Sequence, residues 1–375
     1  LTAAGLTDAE HPLLGAAVEL AGGEGHLFTG RLSTTAHPWL ADHAVLGMPL
    51  LPGTAVLELM LLAGARLDTP VVQDLTLESP VALPEGVTVD VQLVAGSEDA
   101  SGTRSIQLYS RQGEGAEWLL NAAGVLAPAA PATVPESAEA TWPPATAVPV
   151  DLDSAYHRLA EHGYDYGPAF QGLSAMWRLG DTTFAELRLP AEDAASGFAL
   201  HPALLDSALH PIALAGLDLA DDTLLRLPLA WSGVTLHRTG ATALRARLTP
   251  AGNDSMAVEI ADDSGRPVLS AVSLSVRATD ARRLTAGLGL RDSLFRLDWQ
   301  TIPMPSAGTA NDATVYVAEC ANGTGHPDEL SSVLGRTLAA VQEHLVQEVP
   351  QPLVVVTRDA VTCEAVDPVA ASVWG

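Results

Sequence analysis

The chain has 375 residues, 47% of them hydrophobic and 17% charged, with a formal net charge of −26. It has no lysine, so its 19 cations are all arginine. A chain this long and apolar has room for two or three domains with sizeable cores and is no disordered polymer, while its acidity argues against nucleic acid and anionic membranes, which call for basic surfaces.

No apolar run approaches the ~18 residues that a membrane helix needs. The amino-terminal LTAAGLTDAEH is not basic and no long apolar stretch follows it, so no signal peptide is expected. The two cysteines, Cys320 and Cys363, lack CxxC spacing. They suit a reducing cytoplasm better than a disulfide scaffold or a zinc ribbon.

Three blocks follow in chain order. The first, residues 1–126, holds a strand-like HLFTGRLS, a turn rich in His, Pro and Gly, and then GTAVLELMLLAGARL at 53–67. Apolar residues at helical spacing after Pro52 predict a helix there. Alternating segments such as VTVDVQLVA and SIQLYSR predict antiparallel strands. Residues 127–149, rich in Pro, Ala and Thr, predict an extended connector. The second block, 150–283, repeats the plan, with a helix start at HPALLDSALH (201–210) and strands at LPLAWSGVTLH, ALRARLTP, MAVEIADDSG and PVLSAVSLSVRA. A His-Pro pair precedes the key region in each half, His37-Pro38 and His201-Pro202. This echo predicts a duplicated α+β fold in which a curved sheet wraps one buried helix in each half. After a short linker at 284–293, the third block (294–375) reads strand–helix–strand, a partial α/β unit without GxGxxG.

Of eleven histidines, His26, His157, His162, His237, His326 and His344 are read as structural or surface residues. His43 stands apart because Gly47, Pro49, Pro52 and Gly53 follow it and lead into the first helix. The free amides and positive dipole end of that helix suit an oxygen gaining negative charge. An imidazole, with an ordinary pKa of ~6.5, suits a general base beside it. A turn histidine bonded to backbone is the alternative. Asp206 lies in the apolar run LLDSALH with His210 four residues on, one helical turn away. Burial there is expected to raise its pKa so that it carries an acidic proton, with His210 as orienter. Local capping is the alternative, and Pro211 predicts a helix end or kink at His210. In GYDYGPAFQG (163–172) the aromatic residues among glycines predict a rigid turn, with the Tyr166 hydroxyl as a donor, or simply a packed surface turn.

Together these motifs resemble the dehydratase domains of modular polyketide synthases. His43, Gly47 and Pro52 fit HxxxGxxxxP, Tyr166-Gly167-Pro168-Ala169-Phe170 fits YGPxF, and Asp206 with His210 fits DxxxQ/H. Leu227-Pro228-Leu229-Ala230-Trp231 resembles the segment that usually follows. The resemblance covers roughly 10–283. It implies a double hotdog fold, usually a homodimer, in a cytoplasmic megasynthase. The substrate is then a 3-hydroxyacyl group on the phosphopantetheine arm of an acyl carrier protein, with no other cofactor and no metal. His43 would take the α-proton, Asp206 would protonate the departing hydroxyl, and His210 would orient Asp206. Gly47 and the Gly53 amide would face the thioester carbonyl. Pro52, Tyr166, Gly167 and Pro168 would shape the pocket. The third block resembles the start of the structural half of a ketoreductase, from its LFRLDW opening and its ASVWG end, and implies no reductase activity.

Other readings remain open at this point. The same residues would serve isomerisation, epimerisation or ring closure, or the chain could be a carrier-docking scaffold. A metallohydrolase using His37, Asp42, His43, Asp206 and His210 lacks a recognised ligand spacing. An acidic carrier would need a local arginine patch. Arg277, Arg282 and Arg283 either form one or are solvated linker residues.

Overall fold

The computed structural model describes residues 1–23, 25–113, 115–129, 141–190, 195–217, 224–252, 255–280, 314–317, 327–345 and 353–357. Part of the first connector (130–140), the 284–293 linker, LFRLDWQ, ASVWG, His326, both cysteines, Arg282 and Arg283 lie outside the described residues. The chain forms two compact units, Leu1–Leu294 and Phe295–Gly375.

In the larger unit, helix α1 (Gly53–Arg66) is the centre of the first half. Nearly every residue from Thr54 to Gly64 is buried. A helix apolar on all sides belongs inside a sheet, not on its surface. It is wrapped by seven antiparallel strands, in spatial order Thr7–His11, Leu14–Glu19, Gly25–Leu32, Val89–Gly96, Arg104–Gln112, Leu119–Ala127 and Val71–Leu77. The second half starts at Leu224–Leu236 and continues through Pro267–Asp280, Ser255–Ala261, Ala243–Pro250, Thr182–Arg188, Leu173–Leu179 and Val148–Pro149. Its helices are α2 (Ala155–Glu161), α3 (Pro202–Ser207) and α4 (His210–Leu217). Asp206 and His210 straddle a helix break as Pro211 suggested, but the break lies at residues 208–209 and His210 opens α4, with Pro211 in its first turn, where a missing N–H costs nothing.

The expected two sheets are continuous. Val71–Leu77 pairs antiparallel with Leu224–Leu236, setting Leu75 opposite Trp231, so fourteen strands form one ladder. Trp231 is 1% exposed at this seam, and one hydrophobic core runs through both halves. The strands Thr7–His11, Leu14–Glu19 and Leu173–Leu179 and helix α2 were absent from the sequence reading.

A second, small sheet does the work of placement. His43–Val45 pairs with Met48–Pro49 through a Leu46-Gly47 turn, and on its other side with Tyr164–Tyr166. Leu46 and Gly47 both have positive φ, 53° and 75°, as a two-residue hairpin turn requires. Tyr166 sits opposite His43 in register. A strand from one half is thus bound to a strand from the other.

In the smaller unit, Thr314–Val317 pairs parallel with Leu353–Val356, and α5 (Pro327–Leu345) lies between them in sequence. Parallel pairing needs such a crossover. Among the described residues no helix is long and apolar enough to cross a membrane.

Candidate active site

His43 follows a 3-10 turn, Pro38–Asp42, and is 9% exposed. Leu50 grips it twice: the Leu50 amide donates to the His43 carbonyl at 2.9 Å, and the His43 Nδ1 lies 2.9 Å from the Leu50 carbonyl. A carbonyl can only accept, so Nδ1 carries a proton and Nε2 is the basic nitrogen of the neutral ring. Nε2 points to Asp206 Oδ2 at 3.8 Å.

Asp206 comes from α3 and is 5% exposed. His210 Nε2 lies 3.3 Å from its Oδ2, and the Thr54 hydroxyl lies 3.4 Å from its Oδ1. The expected rise in its pKa is not found. Burial does push it up, but the His210 hydrogen bond, the charges of His43 and His210 and the Thr54 hydroxyl outweigh burial and hold it below the ordinary value. From sequence, a protonated His210 is expected to lower it, whereas the charge of His43, brought in from the other half, leaves no local signal.

His210 is 1% exposed and stands behind Asp206, away from the cavity lining. Its Nδ1 lies 3.3 Å from the Tyr156 hydroxyl, which also accepts from the Leu173 amide at 3.0 Å. Burial pushes the Tyr156 pKa up to about 12, so the phenol stays protonated and donates. Where that proton goes to Nδ1 rather than to the Phe170 carbonyl at 3.5 Å, His210 presents its Nε2–H to the carboxylate. Replacing Tyr156 with Phe frees Nδ1 and is expected to lower kcat about tenfold, the value of one buried hydrogen bond of ~1.5 kcal/mol, with KM little changed. Steady-state kinetics of that variant check it.

Tyr166 stacks on His210 with ring centroids 4.1 Å apart and lines the cavity. Burial, with the Asp206 charge next, pushes its phenol well above the ordinary value, so it remains O–H. Gly167 and Pro168 do not line the cavity. The Gly167 amide donates to the Asp42 carbonyl at 2.7 Å and the Ala169 amide to the Asp42 carboxylate at 2.8 Å. A Cβ on Gly167 would come within 2.4 Å of that carboxylate. This turn therefore latches the residue before His43.

Gly47 also departs from expectation. It is exposed at the hairpin tip, and its amide donates to Asp165 at 2.9 Å, so it is not aimed at a substrate. Pro52 is buried as the N-cap of α1. Gly53 alone of the expected turn residues lines the cavity.

His201 caps α3. Its Nδ1 accepts from the Ala203 amide at 3.2 Å, and the ring packs against Trp39 and Phe198. Burial pushes its pKa down to about 4. The unfolded chain binds a proton from pH ~6.5 downward, whereas the folded chain does so only near 4. Folding stability is therefore expected to decline by about 3 kcal/mol over that window. Urea denaturation across it should show a flatter pH dependence for His201→Asn. His37 bonds the Pro12 carbonyl on the surface at 3.0 Å and does not join the site. Among the described residues no three His, Cys, Asp or Glu side chains converge as a metal site.

The cavity holds ≈ 690 Å³. His43, Gly53, Tyr166 and Asp206 stand on its wall, and Val56, Leu209, Ile212, Leu227, Leu229 and Leu274 give it an apolar lining. Exposed Arg277 and half-buried Arg226 also border it. The residues missed from sequence are Thr54, Tyr156 and Leu50. Leu50 acts through its backbone, and the two hydroxyls stand in segments whose composition gives no signal.

Residues 11–111 match the family model described as polyketide synthase dehydratase domain, and residues 135–286 match one described as polyketide synthase dehydratase N-terminal domain. Residues 230–375 match the Rossmann fold domain of the polyketide synthase extender module SpnB. The dehydratase domain from the terminal module of the rifamycin polyketide synthase is 41% identical, over 74% of this chain and 99% of that one, with a TM-score of 0.68. Two solved structures of the CurK dehydratase, 26% and 27% identical, cover 73% of this chain and 99% of theirs with TM-scores of 0.63. They are inactive variants, one with a histidine changed to phenylalanine and one with an aspartate changed to asparagine. Mycoketide-CoA synthase of Mycobacterium tuberculosis is 43% identical over 99% of this chain but only 9% of its own length, so the chain spans under a tenth of that relative. The larger unit is thus a double hotdog hydro-lyase, followed by a Rossmann-like segment. The chain belongs to the dehydratase family of modular polyketide synthases, whose reaction is the loss of water from a 3-hydroxyacyl chain during elongation.

Proposed function

We propose that His43 Nε2 removes the α-proton of a 3-hydroxyacyl thioester and that Asp206 protonates the leaving β-hydroxyl, giving a 2-enoyl thioester. The observation that carries this is the 3.8 Å gap between His43 Nε2 and Asp206 Oδ2 on one cavity wall. At 3.8 Å the two groups stand side by side, so the substrate lies against both, and the hydrogen and the hydroxyl leave adjacent carbons from the same side.

Proton balance fits this pair. The reaction starts with neutral His43 and protonated Asp206, and it ends with an imidazolium and a carboxylate. Returning one proton from His43 to Asp206 resets the site with no net change. An acyl chain in the cavity expels water, which favours the uncharged starting form over the ion pair. The Gly53 amide, first in α1 and on the cavity lining, suits the thioester carbonyl as it gains enolate charge. His210 orients Asp206, and Tyr166 walls the chamber.

The substrate is carried on the phosphopantetheine arm of an acyl carrier protein. Arg226 and Arg277 suit the phosphate of that arm. The partners are the carrier, the other domains of a cytoplasmic synthase and a second copy of the chain. We read 1–126 and 150–283 as the two hotdog halves and the stretch from 294 as the start of a ketoreductase structural subdomain. The test is incubation with a 3-hydroxyacyl thioester and mass detection. Loss of one water and appearance of an enoyl product support the reading. An unchanged substrate, or a cyclic isomer as the only product, overturns it.

A further inference from the structure

Helix α1 touches the acid-bearing segment at two heights on one face. Glu58, 2% exposed, accepts from the Ala199 amide at 2.7 Å and the Leu200 amide at 3.3 Å, with His11 Nε2 at 3.5 Å. One turn earlier, Thr54, 1% exposed, lies 3.0 Å from the Pro202 carbonyl and 3.4 Å from Asp206 Oδ1. Residues four apart on a helix share a face. Both therefore bolt residues 199–202 and α3 to α1. With those backbones fixed, the Thr54 hydroxyl has two acceptors in reach and a single proton to give.

We propose that Thr54 is a positioning residue for the acid, donating to the Pro202 carbonyl while Asp206 holds its proton and turning to Asp206 Oδ1 once that proton has left. No bond is made or broken at Thr54; only the hydroxyl rotates. The move offers a hydrogen bond to the carboxylate at the moment its charge appears, in a place closed to water, where such a bond counts most. The groups facing Asp206 from the other elements are His43 from its strand, His210 from α4, Tyr156 from α2 and Tyr166 from its strand. Among these, the imidazoles act on Oδ2, leaving Oδ1 to Thr54.

The inference rests on Asp206 being the acid, and the experiment separates the two. The full chain and its Thr54→Val, Thr54→Ala and Thr54→Ser variants are assayed for kcat and KM against pH on a short-chain 3-hydroxyacyl thioester. Asp206→Asn serves as the control. Thr54→Val is expected to lose about tenfold in kcat with KM within about twofold, and its alkaline limb, where the acid deprotonates, moves to higher pH. Thr54→Ser restores both. Should Thr54→Val fail to fold, Thr54→Ala gives the same reading. A purely structural threonine would lower the unfolding midpoint and leave the pH limb in place, and that result overturns the inference. So does a fully active Thr54→Val beside an inactive Asp206→Asn. An active Asp206→Asn would instead remove the acid assignment itself.

Discussion

Replacing His43 with alanine is expected to lower kcat for dehydration by about 10²–10⁴-fold, the range for loss of a positioned general base. The ring packs against Tyr166 and Phe170. Its Nδ1–H goes to the Leu50 carbonyl, and its other nitrogen faces Asp206 and the cavity. Truncation removes the base and this ring packing but leaves the backbone frame. The backbone bond from the Leu50 amide to the His43 carbonyl survives, as does the pairing of His43–Val45 with Tyr164–Tyr166. Circular dichroism and the unfolding midpoint should stay close to those of the parent while turnover collapses. His43→Gln makes the point more sharply, since the amide can keep the Leu50 contact but cannot take up the α-proton. Single-turnover assays with an enoyl readout check both variants, and a variant with full turnover sinks the assignment.

The second large effect is at Asp206. Asparagine has the same shape and no transferable proton, so Asp206→Asn is expected to reduce kcat by a similar 10²–10⁴-fold at every pH. It also carries a stability signature of determinate sign. The carboxyl's pKa is lowered in the folded chain, because its partners outweigh burial. The unfolded chain therefore binds this proton at higher pH than the folded one. The contribution to stability is present above the ordinary carboxylate pKa and is lost as pH falls through the lowered value. Asp206→Asn should then be less stable than the parent near pH 7, with the gap closing in acid. Denaturant midpoints at the two ends of the range measure it. A gap that widens in acid would contradict the pairing described here.

Sequence pointed to the residues of the candidate site more readily than to how they are placed. His43, Asp206 and the Tyr166 turn were legible because glycine, proline and a carboxylate stood out against apolar runs. The strands of both halves showed in alternation, and the α3–α4 break showed in Pro211. What failed did so for physical reasons. The resemblance implied that Gly47 faces the thioester, yet its positive φ serves a hairpin and its amide is taken by Asp165. Gly167 and Pro168 read as pocket wall, but their turn binds Asp42 across the two halves through the Gly167 and Ala169 amides. No local pattern encodes a contact with a residue over a hundred positions away. The same holds for Thr54, an unremarked residue in an apolar helix until α3 is laid beside it.

The seam ladder has a consequence during synthesis. Val71–Leu77 finds its outer neighbour only in Leu224–Leu236, some 150 residues later. At roughly 5–20 residues per second, a ribosome takes on the order of ten to thirty seconds to deliver it. For that interval the nascent first half carries a bare apolar strand edge, the kind of template on which neighbouring chains stick together. Overproduction faster than the second half can arrive should therefore yield inclusion bodies, and a trigger-factor-like holdase acting on the emerging first half should raise the recovered yield.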